Sequence, residues 1–410
     1  MMRIFFIDEH NSSKNNGIGT FRDQLLPEMG RNKRIRLTLI SLNSDVSDMH
    51  RQKTDFGTEF QIPPVDRGNW RDNGGLIWPV LRTYINDTPQ NIFIVNHSPC
   101  AKFISELKEM FPLSKVVFVI HDQGWTAPLL GNAESLRLIV EDNAITESKT
   151  LSDNASIRSY YCQERDIYNL VDSIVCLSPS THRILEDIYK IESSKIHCIP
   201  NGYAPNINNS VAKADLRKKL GLGKYEKVII FAGRPAKAKG IEAALMALRM
   251  IRNKYPQVRC VFCGKMDGFA KYSALIKPVA SMLTFTGQLD KSELYEWYAA
   301  SDVGLLPSYT EQCSYSAIEM VMSGLPVVTT DGNGLCDMFT DGKNAFVAAI
   351  GKDNDIESFS HNLAAKLDAA IYCADEKRKQ LISDAQNDFS TRYAPTQMIS
   401  GYLQVFKGLL

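Results

Sequence analysis

The chain predicts an α/β fold built from two doubly wound parallel sheets, and three observations predict it. Short apolar runs bounded by turn residues recur along the whole sequence and read as buried strands. Stretches with helical apolar spacing alternate with them, the order expected when parallel strands are joined through helices. At 410 residues the chain is also long enough to bury two separate cores.

Residues 3–7 read as the opening strand. Asn15, Asn16, Gly17, Ile18, Gly19 and Thr20 follow in a loop, before a helix that starts over 21–29. Glycines between a first strand and a helix let backbone approach a phosphate closely, but the full G-x-G-x-x-G is absent, and a plain surface loop is the alternative. Further strands are expected at 36–42, 92–96, 116–120, 173–177 and 196–199, with helices at 102–110, 157–170 and 180–189. Ligands in such sheets bind off the carboxyl ends of strands. Two histidines fall there, His97 and His121, the second followed by Asp122. A functional role is favoured for His121, and His97 stands between function and structure. Residues 123–158, with Trp125 near the start, exceed an ordinary connection. They are either an acceptor-binding loop or an embellishment.

The turn residues of 199–203 and the polar stretch 204–213 mark a domain boundary. A second set then begins, with strands at 228–232, 258–263 and 284–286 and helices at 240–252 and 292–300. Cys260 and Cys263 form a lone CxxC, which reads as strand core. Arg234 and Lys239 stand five residues apart between a strand and a helix. A guanidinium fork and a mobile ammonium in that place suit a phosphate, with surface ion pairing as the alternative.

The densest signal runs from 302 to 331. Strands at 303–306 and 326–329 flank a helix whose inner face is Tyr315, Ile318, Glu319 and Met322, closed by Gly324. Glu311 lies in the loop before that helix, and Glu319 lies inside it with seven residues between, about one and a half turns deeper. Two carboxylates around a helix N-terminus, itself an anion site, suit a ligand with hydroxyls on both sides of a diphosphate. A last strand at 345–348 precedes Asp353-Asn354-Asp355, a DxD tripeptide that opens a helix over 356–372 and reads as its cap rather than as a metal site. A final helix is expected over 389–410. The expected domains are 1–203, 204–385 and a crossing segment, 386–410, that returns to the first domain.

Composition narrows the function. A formal net charge of +1, with 23% charged residues, argues against nucleic acid as a partner. The basic run 31–36 supports at most peripheral contact with an anionic membrane. Residues 1–7 read as a strand and not as a secretory leader, and no apolar run is long enough to span a bilayer. Nine scattered cysteines lack a disulfide framework. A cytoplasmic protein is expected.

Taken together, these residues resemble the GT-B glycosyltransferases of family 4, the retaining, glycogen-synthase-like members of glycosyltransferase group 1. The pieces that carry the resemblance are Asn16-Gly17-Ile18-Gly19, His121-Asp122, Ser178, Pro200-Asn201-Gly202, Gly233-Arg234 with Lys239-Gly240, Asp302 with Pro307-Ser308, Glu311 through Glu319, and Gly324 through Val328. Cys313-Ser314 departs from the Phe-Gly that family members often carry.

The resemblance implies two Rossmann-like domains facing an interdomain cleft. It implies transfer of a sugar from a nucleotide diphosphate sugar, UDP ahead of GDP, to a glycan, lipid-linked or peptide acceptor in bacterial glycan or peptide glycosylation. No cofactor and no metal would be needed. His121, Arg234, Lys239 and Glu311 would be catalytic. Gly17, Ile18, Gly19, Arg234, Lys239, Glu311, Cys313, Ser314, Tyr315 and Glu319 would bind the donor, Glu319 through its ribose, while backbone at 263–266 and 285–289 meets the base. His97, Asp122 and Trp125 would line the acceptor side. A sugar-nucleotide epimerase on the same fold and a non-catalytic sugar-nucleotide-binding partner are the alternatives.

Overall fold

The computed structural model describes residues 1–9, 16–65, 73–97, 99–141, 151–204, 211–265 and 268–410, with the side chains of 151–153 and 353 also outside the description. Asn15, Met266, part of the 123–158 segment and the Asp353 side chain therefore lie outside the described residues. Contacts divide the chain into two units. One comprises Met1–Trp125, Ala133–Tyr203 and Tyr393–Leu410, the other Thr126–Asn132 and Ala204–Arg392.

The first unit is built on eight strands in the order β3-β4-β2-β1-β5-β6-β7-β8. They are β1 Met2–Glu9, β2 Ile35–Leu42, β3 His50–Thr54, β4 Gly57–Gln61, β5 Asn91–Val95, β6 Lys115–Val119, β7 Ser173–Cys176 and β8 Ile196–Cys198. All neighbours run parallel except β3 and β4, an antiparallel pair. β5, NIFIV, is buried at every position, as a central strand covered on both faces must be. Numbering helices of seven residues or more, α1 is Gly17–Gly30, α2 Gly74–Arg82, α3 Ala101–Met110, α4 Ala133–Glu141, α5 Leu151–Leu170 and α6 Pro179–Asp187.

The second unit holds a parallel sheet in the order β11-β10-β9-β12-β13-β14, comprising β9 Lys227–Ala232, β10 Val258–Cys263, β11 Leu283–Gly287, β12 Val303–Leu305, β13 Val327–Thr330 and β14 Phe346–Ala348. Its helices are α7 Lys213–Lys219, α8 Ile241–Ile251, α9 Lys291–Ala300, α10 Tyr315–Met322, α11 Ile356–Ile371 and α12 Asp375–Arg392. α8 and α11 cover one face, closing Leu245, Leu248, Phe359, Leu363 and Leu367 over the strands. Cys260 and Cys263 are buried in β10, where burial pushes the Cys263 thiol up to about 11. Asp355 caps α11 by accepting from Ser358 N at 2.9 Å, the capping role read for the DxD tripeptide.

Several expectations are corrected. The β3–β4 hairpin and α2 are additional elements. The expected helix over 389–410 is two helices, α12 and α13 Pro395–Leu409, parted at Tyr393-Ala394 because Pro395 cannot continue a helix from the preceding turn. The return to the first unit accordingly begins at Tyr393 and not at 386. There α13 lies along α1, with Tyr402 6.2 Å from Phe21, while Tyr203 N donates to Tyr393 O at 2.8 Å. The segment 123–158 contains α4 and the start of α5. Its residues Thr126–Asn132 belong to the second unit, where Asn333 Nδ2 donates to Gly131 O at 2.5 Å and Asn354 Nδ2 to Leu129 O at 3.3 Å.

Candidate active site

Each sheet reverses its winding once. In the second unit the chain passes from β9 outward to β10 and β11, then returns to the other side of β9 as β12. Loops leaving the carboxyl ends of two strands that wind in opposite directions diverge and leave a crevice, the usual ligand position in such sheets. The loop after β9 carries Arg234 and Lys239, and the loop after β12 carries Glu311.

Backbone geometry forces these two loops together. Gly240 holds φ 69°, and a Cβ there would stand 1.8 Å from Pro307 O, so only glycine fits. Tyr309 N donates to Ala238 O at 2.8 Å. From the other side, Glu311 N donates to Asn333 O at 2.9 Å. The result is an ion pair, Lys239 Nζ to Glu311 Oε1 at 2.6 Å, with Ser308 Oγ donating to the same oxygen at 2.8 Å. The Arg234 side chain is exposed, and its guanidinium makes no hydrogen bond among the described residues. One cation is thus docked on a carboxylate and a second is open to solvent.

Cys313, Ser314 and Tyr315 follow, all buried. Ser314 is the N-cap of α10, accepting from Ala317 N at 3.3 Å. Glu319, only 2% exposed in its side chain, has different partners from Glu311: Lys291 pairs with its Oε1, and Tyr298 Oη donates to its Oε2 at 3.4 Å. The carboxylate expected to meet the donor ribose is thus paired with the chain's own Lys291 and Tyr298. Lys291 is a participant absent from the sequence expectations, and Ser308 stood there only among the residues that carry the resemblance. Lys291 follows Asp290, the cap of α9, and that cap was the available signal.

In the first unit the reversal lies between β1 and β5, on the far side of β1 from β2. Asp8, near the end of β1, is its centre. Asp8 Oδ1 takes His97 Nε2 at 2.7 Å and Asn96 Nδ2 at 3.1 Å, while Oδ2 takes Arg22 Nη1 at 3.0 Å. Burial alone would raise this carboxyl. The hydrogen bond and charge of His97, with the charge of Arg22, outweigh it and hold Asp8 below its ordinary range.

The network also fixes a tautomer. With its amide nitrogen on Asp8, Asn96 presents Oδ1 to His121 Nε2 at 2.7 Å. Burial, followed by the charge of His97, pushes His121 down to about 3, so the ring is neutral at pH 7. A neutral ring facing a carbonyl oxygen carries its proton on Nε2, which leaves Nδ1 as an acceptor. Phe21 stands edge-on to the ring at 4.8 Å. His97 and His121 are therefore brought together, through Asp8 and Asn96. Those two and Arg22 were missed in the sequence, where the polar ends of the apolar runs FFID and IFIVN were the only trace.

Two further expectations change. Gly17, Ile18 and Gly19 are the first turn of α1 and not a loop before it, because Asn16 caps the helix by accepting from Ile18 N at 2.9 Å and Gly19 N at 3.2 Å. Trp125 is fully buried, so its ring serves the core and offers no face to an acceptor. Asp122 is exposed, and its Oδ1 accepts from Gln123 N at 2.9 Å. Among the described residues no three His, Cys, Asp or Glu side chains gather as a metal site, and no helix is long and apolar enough to cross a membrane.

Residues 212–388 match the family described as glycosyl transferases group 1. The chain is 26% identical over 246 residues to the D-inositol 3-phosphate glycosyltransferase of Acidothermus cellulolyticus, covering 57% of this chain and 54% of that protein. It spans about half to two thirds of the length of such relatives. Among solved structures, sucrose-phosphate synthase from Thermosynechococcus elongatus superposes with a TM-score of 0.73 at 16% identity, over 100% of this chain and 99% of that one. Anabaena HepE in complex with UDP-glucose superposes with a TM-score of 0.68 at 16% identity, over 100% of both chains.

Proposed function

We propose, from the match of residues 212–388 to the family described as glycosyl transferases group 1 and from the GT-B fold, that the whole chain is a retaining, metal-independent glycosyltransferase. It moves a sugar from a nucleoside diphosphate sugar, UDP ahead of GDP, to a glycan, lipid-linked or peptide acceptor in bacterial glycan or peptide glycosylation. The setting is the cytoplasm, with at most peripheral membrane contact. The observation that carries the reading is the Lys239–Glu311 pair beside the open Arg234 at the reversal of the second sheet. The inositol phosphate relative and the UDP-glucose complex of HepE support the substrate class.

In this reading the donor diphosphate takes Lys239 from Glu311. Lys239 and Arg234 then hold the phosphates and stabilise the charge that grows on the leaving oxygen, in place of a metal. Glu311, released from Lys239 but still held by Ser308, turns to hydroxyls of the donor sugar. Glu319 takes the ribose hydroxyls in exchange for Lys291. As the anomeric carbon–oxygen bond to the diphosphate breaks, the acceptor oxygen bonds to that carbon from the same face, and its proton passes to the leaving phosphate oxygen. His121, neutral with Nδ1 as acceptor, orients a sugar hydroxyl.

The test is incubation of the purified chain with UDP- and GDP-sugars in EDTA, with and without an acceptor panel. Expected are nucleotide release undiminished by EDTA and a product whose anomeric proton coupling matches that of the donor. An inverted product, or an isomerised nucleotide sugar with no transfer, contradicts the proposal.

A further inference from the structure

The stretch that follows His121 is anchored by a residue outside the machinery described above. Gly124, three residues beyond His121, donates its N–H to Glu164 Oε1 at 2.6 Å. Gln123 Nε2 donates to Tyr168 Oη at 3.2 Å. Tyr160, Glu164 and Tyr168 are four residues apart on α5, so they form one stripe along the helix. Gly124 lies so close to this stripe that a Cβ on it would stand 2.7 Å from the Tyr160 ring, so a larger residue there would force that ring or the loop to shift. The other carboxylate oxygen, Oε2, accepts from Tyr189 Oη, a buried hydroxyl two residues beyond α6.

We propose that Glu164 is a positioning residue, whose carboxylate fixes the backbone at Gly124 and so sets the placement of His121 and Asp122. The role rests on the reading of His121 as part of the transferase machinery. Glu164 touches neither substrate nor His121 and acts only through the three-residue run between them. The titratable groups that face it are Asp122 from the loop, Tyr168 from its own helix and Tyr189 from the chain after α6, with Tyr161 behind Tyr189. Burial pushes the Glu164 carboxyl up to about 7, against the two hydrogen bonds and with help from the charge of Asp122.

The anchor therefore changes strength near neutral pH. Above about 7 a carboxylate holds the Gly124 N–H, and charge on the acceptor strengthens such a bond. Below it a neutral carboxyl accepts the same N–H more weakly and turns its own proton to Tyr189 Oη. Glutamine at 164 reproduces the neutral arrangement at every pH, with Oε1 toward Gly124 and Nε2 toward Tyr189.

The experiment compares wild type, Glu164→Gln and Glu164→Ala in the full chain, with labelled glycine and histidine. Gly124 amide exchange and the His121 ring resonances are followed by NMR from pH 5.5 to 8.5, alongside kcat and donor KM. Wild type is expected to show Gly124 protection that rises through about pH 7, with a matching shift of the His121 signals. Glu164→Gln is expected to remove that titration and the corresponding limb of the kcat profile, with donor KM within about twofold. Glu164→Ala is expected to lose Gly124 protection by about tenfold or more. Unchanged Gly124 protection and His121 signals in a folded Glu164→Ala overturn the proposal. If alanine does not fold, an unaltered titration in Glu164→Gln overturns it equally. Absence of sugar transfer by wild type would sink the functional reading alone, because the NMR arm reads the anchor without turnover.

Discussion

The reversal points of the two sheets occupy the same topological position, yet they are furnished in opposite ways. In the first unit the carboxylate of Asp8 is wrapped by His97, Asn96 and Arg22, three partners supplied by the chain itself. A buried charge with that many donors is already satisfied, and removing one partner costs more than the bond was worth. In the second unit Lys239 has one carboxylate partner, and Arg234 has none among the described residues. An anion arriving there meets one cation with no carboxylate to compete for it and another whose single partner can be exchanged. The first position is built to hold side chains in place, and the second to receive something.

The largest effect expected from this contrast is on turnover. Arg234→Met or Lys239→Met should lower kcat/KM for the donor by about 10²–10³-fold, about 3–4 kcal/mol of transition-state stabilisation, with little change in Tm, since neither side chain is buried. Asp8→Asn should do the reverse, lowering Tm markedly in a melt at neutral pH, because it strips the charge that Arg22 and His97 share. Equal effects of both kinds on Tm would erase the distinction drawn here.

A smaller and sharper effect lies in acid. His121 is held at about 3 in the folded chain against 6.5 as a free group. As pH falls below 6.5 the unfolded chain gains a proton that the folded one refuses, so stability is lost progressively from about 6.5 toward 3. Melting curves of wild type and His121→Gln should converge as pH falls through that window. A Tm difference independent of pH would mean that the ring titrates normally in the fold.

The second position was largely legible in the sequence and the first was not, for a physical reason. Arg234, Lys239 and Glu311 sit on loops that the flanking apolar runs locate, and a glycine that no other residue can replace marks their contact. The first cluster joins Asp8 to residues 88 and 89 positions away, which no local period reports. Where local rules misled, a neighbour had overruled them. Pro79 lies inside α2, a helix of nine residues that proline ordinarily discourages. β3, HRQKT, has no buried residue, and it is a strand only because β4 offers it an edge. The start of α1 was displaced because Asn16, and not a later residue, supplies the cap.

The claim on which the rest depends is that a nucleoside diphosphate displaces Glu311 from Lys239. Calorimetric titration of UDP into wild type, Lys239→Met and His97→Gln tests it most directly. The account predicts that Lys239→Met weakens binding by about tenfold or more, since a phosphate contact with a cation is worth about 1.5–3 kcal/mol, while His97→Gln binds within about twofold of wild type. UDP affinity unaltered in Lys239→Met would contradict it.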